Sequence, residues 1–231
     1  MNSALRRSAA HVFVQSLAAP ELEDGDAHHL LRVLRLRDGE QVSVSDGMGS
    51  WRMCALANSR LRPQSDIISV APGQVQLTIG VALPKHDRPE WIVQKLTEIG
   101  IDRIELLQTE RSVVRWDSER SARNVQKLRT VAREAAMQSR RVWLPTVNGQ
   151  YDLLTFMGTC PRESGVALAD PSGEFLDRQT HSVLIGPEGG WTADEVTLVG
   201  KSVTLGGNIL RVETAALVAA TQMVALMHGL W

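Results

Sequence analysis

Residues 183–196 of the 231-residue chain read "VLIGPEGGWTADEV". Apolar residues end a strand, small and turn-forming residues surround a carboxylate, and Thr192 with Glu195 has the spacing of a helix capping box. A glycine loop between a strand end and a helix start lets backbone groups approach a ligand closely. The loop matches neither the Walker spacing G-x-x-x-x-G-K-[ST] nor the dinucleotide fingerprint G-x-G-x-x-G. Glu188, where a phosphate loop would carry a lysine, would repel a pyrophosphate. The chemistry favoured is a ligand with a neutral or cationic contact surface, held by backbone groups; a tight turn without a ligand is the alternative.

A second strand-glycine-helix junction follows at "VTLGGNILRVETAALVAA". Leu205, Gly206 and Gly207 end a strand, and Leu210, Arg211 and Glu213 open a helix. Glu213 in a first helical turn is explained by the helix dipole alone, whereas Arg211 there is unfavourable and needs a reason such as an anionic partner. Two glycine loops at two strand ends can wall one pocket. A third stretch, residues 111–141, holds nine Lys or Arg against three acids. Arginine predominates, which suits phosphate contacts, although a solvated helix face explains such a run equally well.

The elements that position these residues fall into two patterns. Residues 1–75 read as short strands with turns, "HVFV", "EQVSVSD", "WRMCALAN" and "SDIISVA", interrupted by an amphipathic helix in "DAHHLLRVLRLRDG". This predicts a small β-rich, barrel-like domain. Residues 76–231 alternate strands and helices, which predicts a parallel sheet covered on both faces, with ligands at the carboxyl ends of its strands. Asp87 is placed to cap the helix that contains Pro89 and Glu90 and ends at Gly100. A long helix is expected from about Asp117 to Arg140.

Composition bounds the rest. With 43% hydrophobic residues and a formal charge of −1, the chain is an ordinary globular protein, and total charge does not imply nucleic acid. The charge is uneven: residues 1–75 are neutral, residues 76–145 carry +4 and residues 146–231 carry −5. Cys54 and Cys160 form no metal-ligand spacing and read as buried residues of a reducing, cytoplasmic compartment. The N-terminus reads as the start of the fold, not a signal peptide. The uncharged last eighteen residues read as a helix buried in the protein or against a second subunit, not a membrane span.

Together "HHLLRVLRLRDGE", "WIVQKLTEIGI", "ERSVV", "EAAMQSRR", "LIGPEGGWTADE" and "LGGNILRVETAAL" resemble the SPOUT class of RNA methyltransferases, and within it the ribosomal RNA small subunit methyltransferase E family, which methylates N3 of a uridine in 16S ribosomal RNA. The resemblance spans nearly the whole chain. It implies a PUA-like RNA-binding barrel over residues 1–75 and an α/β methyltransferase domain with a C-terminal trefoil knot over 76–231. It also implies S-adenosyl-L-methionine as donor, a homodimer, and no metal or membrane. By this resemblance Gly186, Pro187, Glu188 and Gly189 form one wall of the donor site, Leu205, Gly206, Ile209 and Leu210 another, and the strand end from Leu168 to Asp170 a third. Glu188 either touches the donor's cationic end or orders the turn.

Arg211 is the first candidate to stabilise charge on the uracil or fix a phosphate, with Glu213 as a base or as the orienter of Arg211. Arg32 and Arg35 are implied phosphate contacts. Gln138, Arg140 and Arg141 are implied to reach RNA or the partner's site, and Lys95 with Glu98 is a surface pair or a site contact. Asn208 and Met137 depart from the arginine and glutamate of many relatives. Two other functions stay open: a SPOUT enzyme for another RNA or base, and a catalytically silent RNA-binding protein of ribosome assembly.

Overall fold

The computed structural model describes residues 2–84, 88–160 and 165–229. The chain divides into two compact units, Met1–Gly73 with Arg133–Leu144, and Gln74–Ala132 with Pro145–Trp231.

In the first unit a short helix, α1 (Ser3–Arg7), precedes β1 (Ala10–Phe13), and α2 (Asp24–His28) runs on into a π-helical turn (His29–Val33). There follow β2 (Gln41–Ser45), β3 (Ser50–Ala57), β4 (Arg60–Pro63) and β5 (Ile68–Ser69). The sheet order is β1-β2-β3-β4, with β5 also on β3; β1 and β2 run parallel and the other pairs antiparallel. Val12, Leu30, Val42, Val44 and Cys54 fill its core. Burial pushes the Cys54 thiol up to about 11, which suits an inert packing residue.

Residues 133–144, read from sequence as part of the second domain, belong to this unit, and long-range polar contacts explain why. Arg133 forms a fork with Asp26, at 3.1 and 2.6 Å, and its guanidinium carbon lies 5.9 Å from the centre of the Phe13 ring. Arg140 donates to the Ser8 carbonyl (3.1 Å). Ser45 Oγ donates to the Val142 carbonyl. The His11 Nε2 lies 3.0 Å from the Arg141 carbonyl, which only accepts, so Nε2 carries the proton and Nδ1 accepts from Ser43 Oγ at 2.8 Å. Burial, helped by the nearby Arg140 charge, pushes the imidazole down to about 4. His11 is therefore a neutral structural tie.

The second unit is the expected parallel sheet. Its strands are β6 (Thr78–Ala82), β7 (Arg103–Gln108), β8 (Thr146–Asp152), β9 (Val166–Phe175), β10 (Ser182–Ile185) and β11 (Ser202–Thr204), in the order β11-β9-β10-β6-β7-β8, every pair parallel. The helices are α3 (Arg88–Ile99), α4 (Ser118–Gln138), whose residues up to Ala132 lie here, α5 (Leu153–Thr159), α6 (Ala193–Val199) and α7 (Val212–Met227).

Alternation along the strands sends neighbouring apolar residues to opposite faces. Ile104, Leu106, Val183 and Ile185 join Ile92 and Leu96 of α3, Val125 and Leu128 of α4, and Ala216, Ala219 and Met223 of α7. Leu107, Leu168 and Leu184 join Leu153 and Phe156 of α5 and Trp191 before α6. Truncating a fully buried leucine such as Leu96 or Leu184 to alanine costs about 2–5 kcal/mol.

The helix after "PKHDRP" ends before Gly100 as expected; its proposed cap, Asp87, lies outside the described residues. The capping box of α6 is present in both halves, between Thr192 and Glu195. The last helix, α7, buries its alanine-rich side within the unit, and among the described residues no helix is long and apolar enough to cross a membrane.

Candidate functional site

A cavity of about 390 Å³ opens at the carboxyl ends of β10 and β11 and beside the middle of β9. This is within the size range of small-molecule sites. Three chain segments wall it, residues 169–171, residues 185–191 without Gly189, and residues 204–212 without Gly207, and Ala215 of α7 completes the lining.

The β10 loop is shaped by close packing. Trp191 is buried, and its indole N–H donates to the Ala169 carbonyl at 3.1 Å, tying the β9 wall to the β10 wall. A Cβ on Gly186 would stand 2.9 Å from the Trp191 ring, so only glycine lets the backbone pass there. The third segment is open: Gly206, Asn208 and Arg211 are exposed, and Ile209 is 91% exposed.

The charged groups lining the cavity are Asp170, Glu188 and Arg211. Arg211 is the N-cap residue of α7 and makes no side-chain capping bond, so its side chain leaves uncapped the first N–H groups of a 16-residue helix that begins at the cavity edge formed by Leu210, Arg211 and Val212. These groups and the exposed guanidinium favour negative charge at one end of the pocket.

Gly186, Pro187, Glu188, Leu205, Gly206, Ile209, Leu210 and Arg211 come together around the cavity as the sequence suggests. Three residues are placed otherwise. Leu168 is buried in the core of the sheet, and the wall begins one residue later, at Ala169, because side chains alternate along β9. Gly189 does not line the cavity; its carbonyl accepts a 2.8 Å hydrogen bond from Arg111. Glu213 does not line it either and faces Arg88 of α3 at 3.5 Å.

Sequence reasoning passed over Trp191, Thr204 and Val212. The aromatic residue directly after "GPEGG" was the available signal for the first of these.

The arginine-rich stretch largely engages the protein itself. Arg123 pairs with Glu119 (2.7 Å), Lys127 with Glu90 (2.5 Å), and Arg129 donates to the Val147 carbonyl (2.9 Å). Lys95 pairs with Glu98 at 2.9 Å, and neither lines the cavity. Arg32 and Arg35 are exposed on and just after the π-helical turn, Arg35 with φ +55°. Gln138 is exposed at the end of α4, and Arg140 and Arg141 are half-buried in the turn that follows.

The family model for an RNA methyltransferase domain matches residues 71–224, and that for an RNA methyltransferase PUA domain matches residues 22–61. The chain thus has the domains of an RNA methyltransferase. A ribosomal RNA small subunit methyltransferase E from Mycobacterium bovis is 33% identical over 216 residues, covering 85% of this chain and 82% of that protein. The chain belongs to the ribosomal RNA small subunit methyltransferase E family.

Among solved structures, a probable rRNA-methyltransferase from Porphyromonas gingivalis is similar with a TM-score of 0.79 at 26% identity, covering 96% of this chain and 100% of that one. A ribosomal RNA small subunit methyltransferase E from Neisseria gonorrhoeae, bound to S-adenosyl methionine, has the same fold, with a TM-score of 0.80 at 24% identity over 96% of this chain and 98% of that one.

Proposed function

We propose that the protein transfers the methyl group of S-adenosyl-L-methionine to N3 of a uridine in small-subunit (16S) ribosomal RNA, acting in the cytoplasm as a homodimer. The observation that carries the reading is the charge of the pocket. Two carboxylates and one guanidinium line it, between two glycine loops without a lysine. Asp170 and Glu188 would repel a phosphate-bearing cofactor, whereas a sulfonium donor with an amino group brings positive charge that they attract.

Bound in the cavity, the donor supplies an electrophilic methyl: its sulfur–carbon bond breaks as the bond to N3 forms, and the N3 proton passes to a base. The chain's own part is to hold the two reactants in line and to stabilise the negative charge that develops on the uracil. Arg211 and the N-terminus of α7 are positioned for the second task. Glu213, in the grip of Arg88, suits the orienter of this corner better than a base.

The exposed Arg32 and Arg35 support RNA binding by the first unit, and Gln138, Arg140 and Arg141 extend the same reading. Half-buried Leu217, Val218 and Leu226 on α7 support a second copy as partner. A C-terminal trefoil knot is part of the same proposal: β11 pairs with β9 at the sheet edge while α7 returns to pack on β6 and β10.

The test is incubation of the purified protein with radiolabelled donor and small ribosomal subunits from cells lacking the enzyme, followed by nucleoside analysis. Label in 3-methyluridine is expected. Label in another nucleoside would reassign the acceptor, and no label at all would leave an RNA-binding protein without catalysis.

A further inference from the structure

We infer that Arg111 and Glu195, neither of which lines the cavity, are positioning residues for the donor loop: together they clamp the turn that follows β7 against "GPEGG". The inference rests on the donor reading above. Glu195 is 5% exposed and uses both carboxylate oxygens. Oε2 accepts from Thr192 N–H at 2.9 Å, which completes the capping box of α6. Oε1 accepts from Glu110 N–H, also at 2.9 Å, across 85 positions of sequence. A cap needs only the first of these bonds, so the second oxygen is committed to holding another segment.

That segment is a closed turn. Thr109 N–H donates to Ser112 Oγ (3.0 Å), Ser112 N–H donates to the Thr109 carbonyl (3.1 Å), and both residues are buried. Arg111, between them, donates from Nη1 to the Gly189 carbonyl at 2.8 Å, and a Cβ on Gly189 would meet the Arg111 side chain at 3.3 Å. Gly189 stands between Glu188 and Gly190, both of which line the cavity. The route of force is therefore Glu195 to Glu110, Arg111 to Gly189, and Gly189 to the wall on each side of it. A wall held before the donor arrives loses less freedom when the donor binds.

The clamp predicts a binding defect and not a chemical one. With S-adenosyl-L-methionine titrated into the full-length protein by calorimetry, Arg111→Ala should raise Kd about tenfold. Its thermal midpoint should not move, because Arg111 is exposed. In steady-state transfer the loss should fall on the donor KM, with kcat within about threefold of wild type. Arg111→Lys should recover most of the affinity, since one N–H donor reaching the Gly189 carbonyl suffices. Glu195→Gln should shift Kd in the same direction, because one backbone N–H then faces an amide N–H in place of an oxygen.

Donor affinity of Arg111→Ala within twofold of wild type, a loss carried by kcat, or a lysine variant no better than alanine would each overturn the clamp. Failure of the wild-type protein to bind the donor would instead sink the donor reading itself.

Discussion

The two glycine loops that wall the cavity differ in what holds them. The loop after β10 is braced on several sides: Trp191 packs on Gly186 and reaches the Ala169 carbonyl, Arg111 grips Gly189, and Glu195 anchors both the α6 cap and the neighbouring turn. In the loop after β11, a Cβ on Gly206 or Gly207 would meet no heavy atom within 4 Å, and Ile209 is almost fully exposed. One wall is braced by side chains of other segments on several sides; the other is held more lightly, by Gln222 of α7 donating to the Leu205 carbonyl at 3.4 Å, by Thr204 bonded to Gly206, and by Leu205 and Leu210 packed on the core. The difference suggests a division of labour in which the braced loop fixes the donor and the exposed loop, carrying Arg211, meets the RNA base.

Substitutions on either side should sharpen or break this division. The largest effect is expected from Arg211→Ala on the exposed loop. Methyl transfer should fall about 100-fold or more, while donor Kd by calorimetry stays within about threefold; a collapse of donor affinity would erase the distinction between the walls. On the braced loop, Gly186→Ala forces a methyl group against a buried indole and should cost about 1–3 kcal/mol of stability in chemical denaturation. Donor affinity should fall with it, by about tenfold or more.

Acid provides a third perturbation, acting through His11 of the first unit. The folded-state pKa of His11 is depressed to about 4 from 6.5, so the unfolded chain binds more protons between these values and stability falls as pH drops through that window. The loss should reach about 2 kcal/mol at pH 5, visible as a lower denaturation midpoint and largely absent in His11→Gln. The smallest effect belongs to Gly207→Ala, which should change stability by less than about 0.5 kcal/mol and donor Kd by less than about twofold. A large loss there would show that the second wall is as tightly held as the first.

The parallel sheet, the end of α3 before Gly100 and the Thr192–Glu195 capping box were legible because each is written in local spacing. The two glycine loops were legible for the same reason, down to most of their lining residues. What escaped the sequence is long-range or depends on strand parity. Leu168 was one residue early because β9 runs on to Phe175 and its spacing does not announce which side chains point to the core.

The transfer of residues 133–144 to the first unit depends on Arg133 meeting Asp26 and His11 meeting the Arg141 carbonyl. No periodicity along a continuous helix signals such partners. The arginine-rich segment looked like a face for phosphates, yet many of its guanidinium groups hold carbonyls and carboxylates of the protein itself. Glu195 was readable as a cap, while its second bond, to Glu110, was not.

On the proposed reading, the pocket between the two loops takes a phosphate-free, cationic donor. Calorimetric titration of the purified protein with S-adenosyl-L-methionine, and in parallel with ATP, tests it most directly. Saturable binding of S-adenosyl-L-methionine with no heat from ATP is the predicted result. Binding of ATP with equal or greater affinity, or no binding of S-adenosyl-L-methionine, would contradict it.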